Sequence, residues 1–300
     1  MQKTMKRYLG DALTPAARAW IRYAPLRAGK PWLWRTFHWR PHEFTCRVQG
    51  GNRLTGSTED LIQRHLYFFG TWEPHISHWL SHTLKPGDCF IDIGANIGHY
   101  SLLASRLVGD EGHVVAIEAA QWIHALLDRH VALNERHNVR TVQVAAAAQR
   151  GTVKLYPGKA GNIGKTSMVA VQDAAPVDVP ALPLTEILSA DEIARARVIK
   201  IDVEGAELEV LRGLEPLLPQ LPQRTEIVME VAPQRIPGGG DAGEEILATF
   251  ARHGYRAYAL ENDYGVESYL EPGQHKGPVP ITDYRLTSQV DVLFSRRPVH

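Results

Sequence analysis

Cysteine is nearly absent from this chain of 300 residues: Cys46 and Cys89 lie far apart, outside any CxxC pair. That excludes a disulfide framework and a cysteine zinc site, and it suits a reducing, cytoplasmic setting. Long apolar runs are missing too, since no stretch approaches the roughly 20 residues needed to span a bilayer. Near the N-terminus, Arg18 and Arg22 interrupt what would have to be the apolar core of a secretory leader. Net charge is also lacking, with 33 basic against 33 acidic residues. There is accordingly no global attraction to nucleic acid or to acidic lipid, and the chain is expected to be cytoplasmic.

The charge that is present is unevenly placed. Residues 1–50 carry ten Lys and Arg against Asp11 and Glu43, a local +8 balanced by −8 over the remainder. In this stretch Trp20, Trp32, Trp34 and Trp39 interleave with the arginines, and Pro15, Pro25, Pro31 and Pro41 punctuate it. Two readings stay open. One is a helical arm packed on the domain with its basic groups solvated; the other is a peripheral amphipathic contact with a membrane surface or an anionic partner such as a glycan-lipid. Residues 1–56 are taken as a basic, Trp-rich extension and residues 57–300 as the main domain.

From residue 57 the pattern becomes regular. Leu61–Phe69 and Ile76–Leu84 have helical periodicity, and Lys85–Asp88 is a turn. The next five residues, Cys89–Ile93, are almost wholly apolar, as in a parallel strand covered on both faces. Helices over 97–108 and 122–137 alternate with strands over 113–118 and 140–144. Further strands are expected over 152–156, 198–202, 226–231, 255–260 and 289–294, with helices over 205–218 and 244–253. The stretch 157–183 is rich in Gly, Ala and Pro and reads as a loop-rich insertion able to act as a lid, and 232–243 as a Pro/Gly loop. Alternating strands and helices imply an α/β, doubly wound, Rossmann-like sheet with helices on both faces.

Ligands of such sheets sit beyond the carboxyl ends of the strands. The first strand there runs into Asp92-Ile93-Gly94-Ala95-Asn96-Ile97-Gly98. Glycines allow a sharp turn and close backbone approach, and the following helix offers free N–H groups. The G-x-G-x-x-G dinucleotide fingerprint is not met, because Gly94 and Gly98 stand four apart with Asn96 between them. That spacing suits a nucleoside cofactor with an amino-acid tail, read as S-adenosylmethionine, and Asp92 could attract its ammonium or sulfonium charge. Glu118 ends the second strand 24 residues after Gly94, where a carboxylate can take both ribose hydroxyls. The cofactor set is thus Asp92, Gly94, Ala95, Asn96, Gly98 and Glu118.

A third cluster, Lys200-Ile201-Asp202-Val203-Glu204-Gly205-Ala206-Glu207, places Asp202 and Glu204 where an apolar strand meets a helix. Glu230 near the end of the next strand should share that edge. Helix capping accounts for Glu207, but not for Asp202 or Glu230, since an unpaired charge in an apolar strand is costly. His99, directly after the glycine turn, could face the substrate.

Two motifs together resemble the FkbM-type methyltransferases: Phe90–Gly98 followed by Ser101-Leu102-Leu103-Ala104, and Ile201–Glu207 with Val210-Leu211-Arg212-Gly213. Gly70-Thr71-Trp72-Glu73-Pro74, Lys85–Asp88 and Glu226–Val231 agree as well. The resemblance covers roughly residues 57–260. It implies a seven-stranded class I methyltransferase sheet, S-adenosylmethionine, and O-methylation of a hydroxyl on a sugar, glycan or secondary metabolite.

Methyl transfer from a sulfonium is an in-line displacement that depends on positioning, and an alcohol acceptor benefits from a base or a metal. Asp202 or Glu204 is assigned to acceptor activation, with Glu230 as a second acidic group. The same three carboxylates also suit a divalent Mg²⁺-type ion. A small-molecule or glycan acceptor is expected and nucleic acid is not. The rivals are a nucleic-acid methyltransferase, suggested by the basic arm, an NAD-dependent oxidoreductase on a similar sheet, and a non-catalytic protein that keeps the fold.

Overall fold

The computed structural model describes residues 2–158, 175–237, 239–261, 263–270, 276–283, 286 and 288–299. Residues 159–174, much of the expected insertion, lie outside the described residues. The strands in chain order are β1 (Glu43–Arg47), β2 (Arg53–Ser57), β3 (Cys89–Ile93), β4 (His113–Ile117), β5 (Val139–Val142), β6 (Ala145–Ala146) and β7 (Gly151–Leu155). They continue with β8 (Val177–Leu182), β9 (Ala196–Ile201), β10 (Glu226–Val231), β11 (Arg256–Leu260), β12 (Val279–Pro280) and β13 (Val290–Ser295).

The main sheet has the order β12-β11-β13-β10-β9-β3-β4-β5. Strands β5, β4, β3, β9 and β10 are parallel, and β13 runs antiparallel between β10 and β11. This is the expected seven-stranded sheet with one two-residue strand, β12, added at its edge. The order reverses between β3 and β9, which in open α/β sheets is where a ligand crevice forms. Three shorter strands form a second sheet, β6-β8-β7. Residues 177–182, inside the stretch read as loop, are therefore a strand: Val179 and Ala181 alternate inward and pair with β7. Alternation over six residues interrupted by Pro180 is too faint a period to read from sequence.

Period-2 alternation decides where the polar residues of the central strands point. Cys89, Ile91, Ile93, Ile199 and Ile201 enter the core beneath helices Glu207–Leu214 and Gly240–Arg252. Phe90 and Val198 enter the opposite core, against helices Pro74–Thr83 and His99–Val108. Asp92 and Lys200 follow the second face, and they are register partners across β3 and β9. Full burial of side chains such as Phe90 and Ile91 contributes roughly 1.5–3 kcal/mol each, enough to hold a paired charge at the strand ends.

The N-terminal region is helical over Gln2–Tyr23 and Lys30–Phe37, and Ala17, Ile21, Trp34 and Phe37 share a core with Leu66 and Phe68. The hairpin β1–β2 reaches helix Gln121–Leu133 and its end. Asn134 exchanges two 2.7 Å hydrogen bonds with the Arg53 backbone, and the Thr55 N–H donates to His130 Nε2 at 3.1 Å. No helix among the described residues is long and apolar enough to cross a membrane.

Candidate active site

A cavity of about 390 Å³ opens at the carboxyl ends of β3, β4, β9 and β10, at the point where the strand order reverses. Gly94, Ala95, Asn96, Glu118, Asp202, Glu204 and Glu230 all line it, so both predicted clusters meet in one space. Asp92 and Gly98 do not.

The turn after β3 is held to its neighbours by backbone contacts. The N–H groups of Gly94 and Ala95 both donate to the Ile117 carbonyl at 2.9 Å. Gly94 has φ +81°, and a Cβ there would stand 1.9 Å from the Asp202 carbonyl oxygen. Only glycine lets the loops after β3 and β9 approach this closely. Asn96 is left-handed at φ 49°, which its side chain supports by accepting the Ile97 N–H at 2.8 Å. Gly98, at φ +88°, precedes helix His99–Val108 and abuts Leu127, so it shapes the turn from behind.

Glu118 ties β4 to this turn. Its Oε2 accepts the Asn96 N–H and its Oε1 the Ala120 N–H, each at 2.9 Å. Burial pushes its carboxyl up to about 7, against the pull of those backbone donors. Each oxygen keeps a further lone pair for a ligand hydroxyl. Asp92 lies under the wall: its Oδ2 accepts the Ser101 hydroxyl at 2.6 Å, on the face that packs against helix His99–Val108. Burial raises its pKa, with the Lys200 charge opposing.

At the other end of the cavity Lys200 is 3% exposed, its Nζ 2.7 Å from Asp202 Oδ2 and 4.7 Å from the Tyr100 ring centre. Burial alone would lower its pKa, but the charges of Asp202, Asp92 and Glu73 outweigh that and hold it above the ordinary lysine value. Arg235 donates to Glu204 Oε2 at 2.5 Å and lies 3.4 Å from Glu230 Oε2. Gln289 donates to Glu230 Oε1 and accepts from Arg235 at 3.1 Å. Burial, then repulsion from Asp202, raises the Glu230 pKa and keeps the group protonated at neutral pH. Glu207, the first residue of its helix, accepts the N–H of Gly205 ahead of the helix at 3.0 Å. It makes no side-chain cap to a helical N–H, and burial raises its carboxyl to about 8, so the expected capping role is not what the structure gives it.

These pairings test the metal reading. The three carboxylates are met by Lys200 and Arg235 instead of standing as open oxygen ligands. Among the described residues no group of three or more His, Cys, Asp or Glu is arranged to hold a metal ion.

Several lining residues had no role assigned from sequence. Glu73, buried and left-handed at φ 42°, accepts from Tyr100 at 2.6 Å and Tyr264 at 2.9 Å, and burial raises its pKa. A non-glycine residue there stores about 1–3 kcal/mol of strain. Lys200 had a readable signal, since a buried strand carboxylate calls for a cation nearby. Glu73, Arg235, Tyr264 and Gln289 come from turns and loops, where no periodicity marks them. His99 does line the cavity; its Nε2 accepts the Trp72 N–H at 3.4 Å, and burial lowers its pKa to about 3, leaving the ring neutral.

Residues 92–257 match the family described as the methyltransferase FkbM domain. Methyltransferase sdnD of Sordaria araneosa is 32% identical, over 43% of this chain and 62% of that protein. Methyltransferase 1 of Beauveria bassiana is 29% identical, over 43% of this chain and 60% of that protein. The chain therefore spans less than two thirds of the length of either curated relative. Among solved structures, Aeropyrum pernix fibrillarin with natively bound S-adenosyl-L-methionine aligns with a TM-score of 0.43 at 11% identity, covering 84% of this chain and 82% of that one.

Proposed function

The chain belongs to the FkbM methyltransferase family, and from that premise we propose that it is an S-adenosylmethionine-dependent O-methyltransferase acting on a small hydroxylated molecule of the sugar, glycan or secondary-metabolite class. Family membership favours methyl transfer over hydride transfer on a similar sheet. A cytoplasmic location goes with this reading, since Cys46 and Cys89 are both free.

The cavity fits the cofactor on features of its own. The Gly94 turn has no room for a Cβ on the side of β9, so its backbone stays bare and close to whatever lies beside it. Glu118 would hold the ribose hydroxyls, Asn96 and Ala95 would flank the turn, and Ile117 and Ile123 offer apolar walls. When bound, the cofactor supplies an electrophilic methyl group on a sulfonium.

The remaining chemistry belongs to the protein. Lys200, fixed inside the strand, orients the Asp202 carboxylate at 2.7 Å, and Asp202 takes the proton of the acceptor hydroxyl as general base. Glu204, anchored by Arg235, is the second carboxylate placed to receive that proton. Glu230, protonated and bonded to Gln289, donates a hydrogen bond that orients the acceptor. Positioning of this kind carries much of the rate of an in-line displacement.

The observation that carries the reading is Asp202 and its buried Lys200 in the same cavity as the Gly94–Glu118 turn. The test measures S-adenosylhomocysteine release with panels of hydroxylated and amine-bearing acceptors. Asp202→Asn should keep cofactor binding by calorimetry and lose turnover. Full activity of that variant, or turnover of amines alone, refutes the assignment.

A further inference from the structure

The N-terminal arm is apolar on two sides. In helix Gln2–Tyr23, Thr14, Ala17 and Ile21 are buried against the body. Leu13, Ala16, Trp20 and Tyr23, spaced by three and four residues, share the adjoining face, roughly 110° around the helix, and stand exposed, Tyr23 at 64%. Helix Lys30–Phe37 and the turn after it repeat the arrangement: Trp34 and Phe37 are buried, while Trp32 in the helix and Trp39 in the turn are 64% and 61% exposed. Six of the nine large hydrophobic side chains exposed among the described residues fall between positions 13 and 39. A fold whose core is otherwise closed gains nothing from such a concentration in water.

Charge says what covers this face. The arm belongs to the segment of net charge +8. Arg18 and Arg22 are used internally, on the backbone carbonyls of Tyr67 and Arg47. Lys30 and Arg35 make no ion pair among the described residues, and Arg35 is exposed between Trp32 and Trp39. Indole and phenol rings beside Lys and Arg match the boundary between lipid headgroups and acyl chains, where an apolar ring body and a cation are both satisfied.

We propose that residues 13–40 dock this enzyme on a membrane surface bearing anionic lipid headgroups, with Trp20, Tyr23, Trp32 and Trp39 entering the interface. The arm is packed close to the cavity: the Trp34 ring centre lies 5.0 Å from that of His65, which lines it. Docking would thus hold the cavity near the lipid surface.

The test uses the full chain with vesicles of phosphatidylcholine alone and of phosphatidylcholine mixed with phosphatidylglycerol, read by co-sedimentation and by tryptophan emission. Binding to the mixed vesicles, with blue-shifted emission and weakening in added salt, is expected. Neutralising Lys30 and Arg35 to Gln should cost about thirtyfold in affinity at low salt, near fivefold per charge. The double variant Trp32→Ser/Trp39→Ser, at positions too exposed to matter for folding, should lose sedimentation while keeping its melting temperature. Equal binding of that variant, or no binding to either vesicle, overturns the proposal. So does a concentration-dependent dimer abolished by the same substitutions, because a second copy of the chain would then be the partner.

Discussion

Gly94→Ala puts the closest contact in the site under direct test. The added Cβ would meet the Asp202 carbonyl oxygen at 1.9 Å, where ordinary contacts begin at 3.4 Å. The obstacle is backbone, so the loop after β9 must move by more than an ångström. That strains the Asp202 N–H bond to the Ile93 carbonyl and the paired bonds of Gly94 and Ala95 to Ile117. The left-handed backbone at φ +81° adds about 1–2 kcal/mol for a residue with a Cβ, and overpacking adds about 1–3 kcal/mol. A loss of about 2–5 kcal/mol is a large part of a typical domain stability of about 5–15 kcal/mol. Gly87→Ala is the control: φ is +86° and nothing lies within 4 Å of its Cβ position, so only the backbone penalty of about 1–2 kcal/mol applies. Urea unfolding of both variants isolates the clash as their difference, and calorimetry should show weakened S-adenosylmethionine binding in Gly94→Ala alone. Equal stability losses in the two variants would refute the close approach and with it the reason for glycine at the turn.

Lys200→Met leaves Asp202 without its partner and should cost about 3–5 kcal/mol. A double-mutant cycle with Asp202→Asn in thermal denaturation should recover part of that, and strict additivity would contradict the pairing. Glu207, with its carboxyl raised to about 8 by burial, retains a proton in the fold that the unfolded chain releases near its ordinary value. Its contribution therefore falls as pH rises between these values, so Glu207→Gln should flatten the decline of melting temperature from about pH 4.5 to 8; an unchanged slope would count against it. Glu118→Ala should weaken cofactor binding by about tenfold or more, the scale of a hydrogen bond to a charged group, and an unaltered dissociation constant would remove it from the site. Binding of S-adenosylmethionine should release protons, visible as a calorimetric enthalpy that varies with buffer, and S-adenosylhomocysteine should release fewer.

The order of elements and the turn after β3 were legible because each rests on a local rule. Leu61–Phe69, Cys89–Ile93 and Glu226–Val231 have the expected bounds, since helical and strand periods were uninterrupted there. Gly94 and Gly98 announced a sharp turn, which the structure has with φ +81° and +88°. What stayed hidden depends on pairing across distance. The two-residue β6 is too short for a period, and Pro180 interrupts that of β8. The hairpin β1–β2 sits in a basic stretch whose composition suggested an arm. Asp92 was expected to face the ligand, yet alternation from Phe90 directs it toward helix His99–Val108. Arg235, Tyr264 and Gln289 reach the cavity from the C-terminal third, and only the closed fold brings them beside Glu204 and Glu230.

Six carboxyl groups gather around the Asp202 end of the cavity, Asp92, Glu73, Asp202, Glu204, Glu230 and Asp291, near the cations Lys200 and Arg235. Such an excess of like charge is untenable at low dielectric unless some groups give up their charge. Burial raises Asp92, Glu73 and Glu230, which lessens the excess of negative charge beside the pairs Lys200–Asp202 and Arg235–Glu204. Entry of a cation into this balance favours ionisation of the raised carboxyls, which is why binding should expel protons. In the proposed reaction, methyl transfer from a sulfonium to an alcohol removes that positive charge and frees the hydroxyl proton in the same event. In the proposed mechanism Asp202, held by a cation that belongs to the protein itself, is the base that takes this proton.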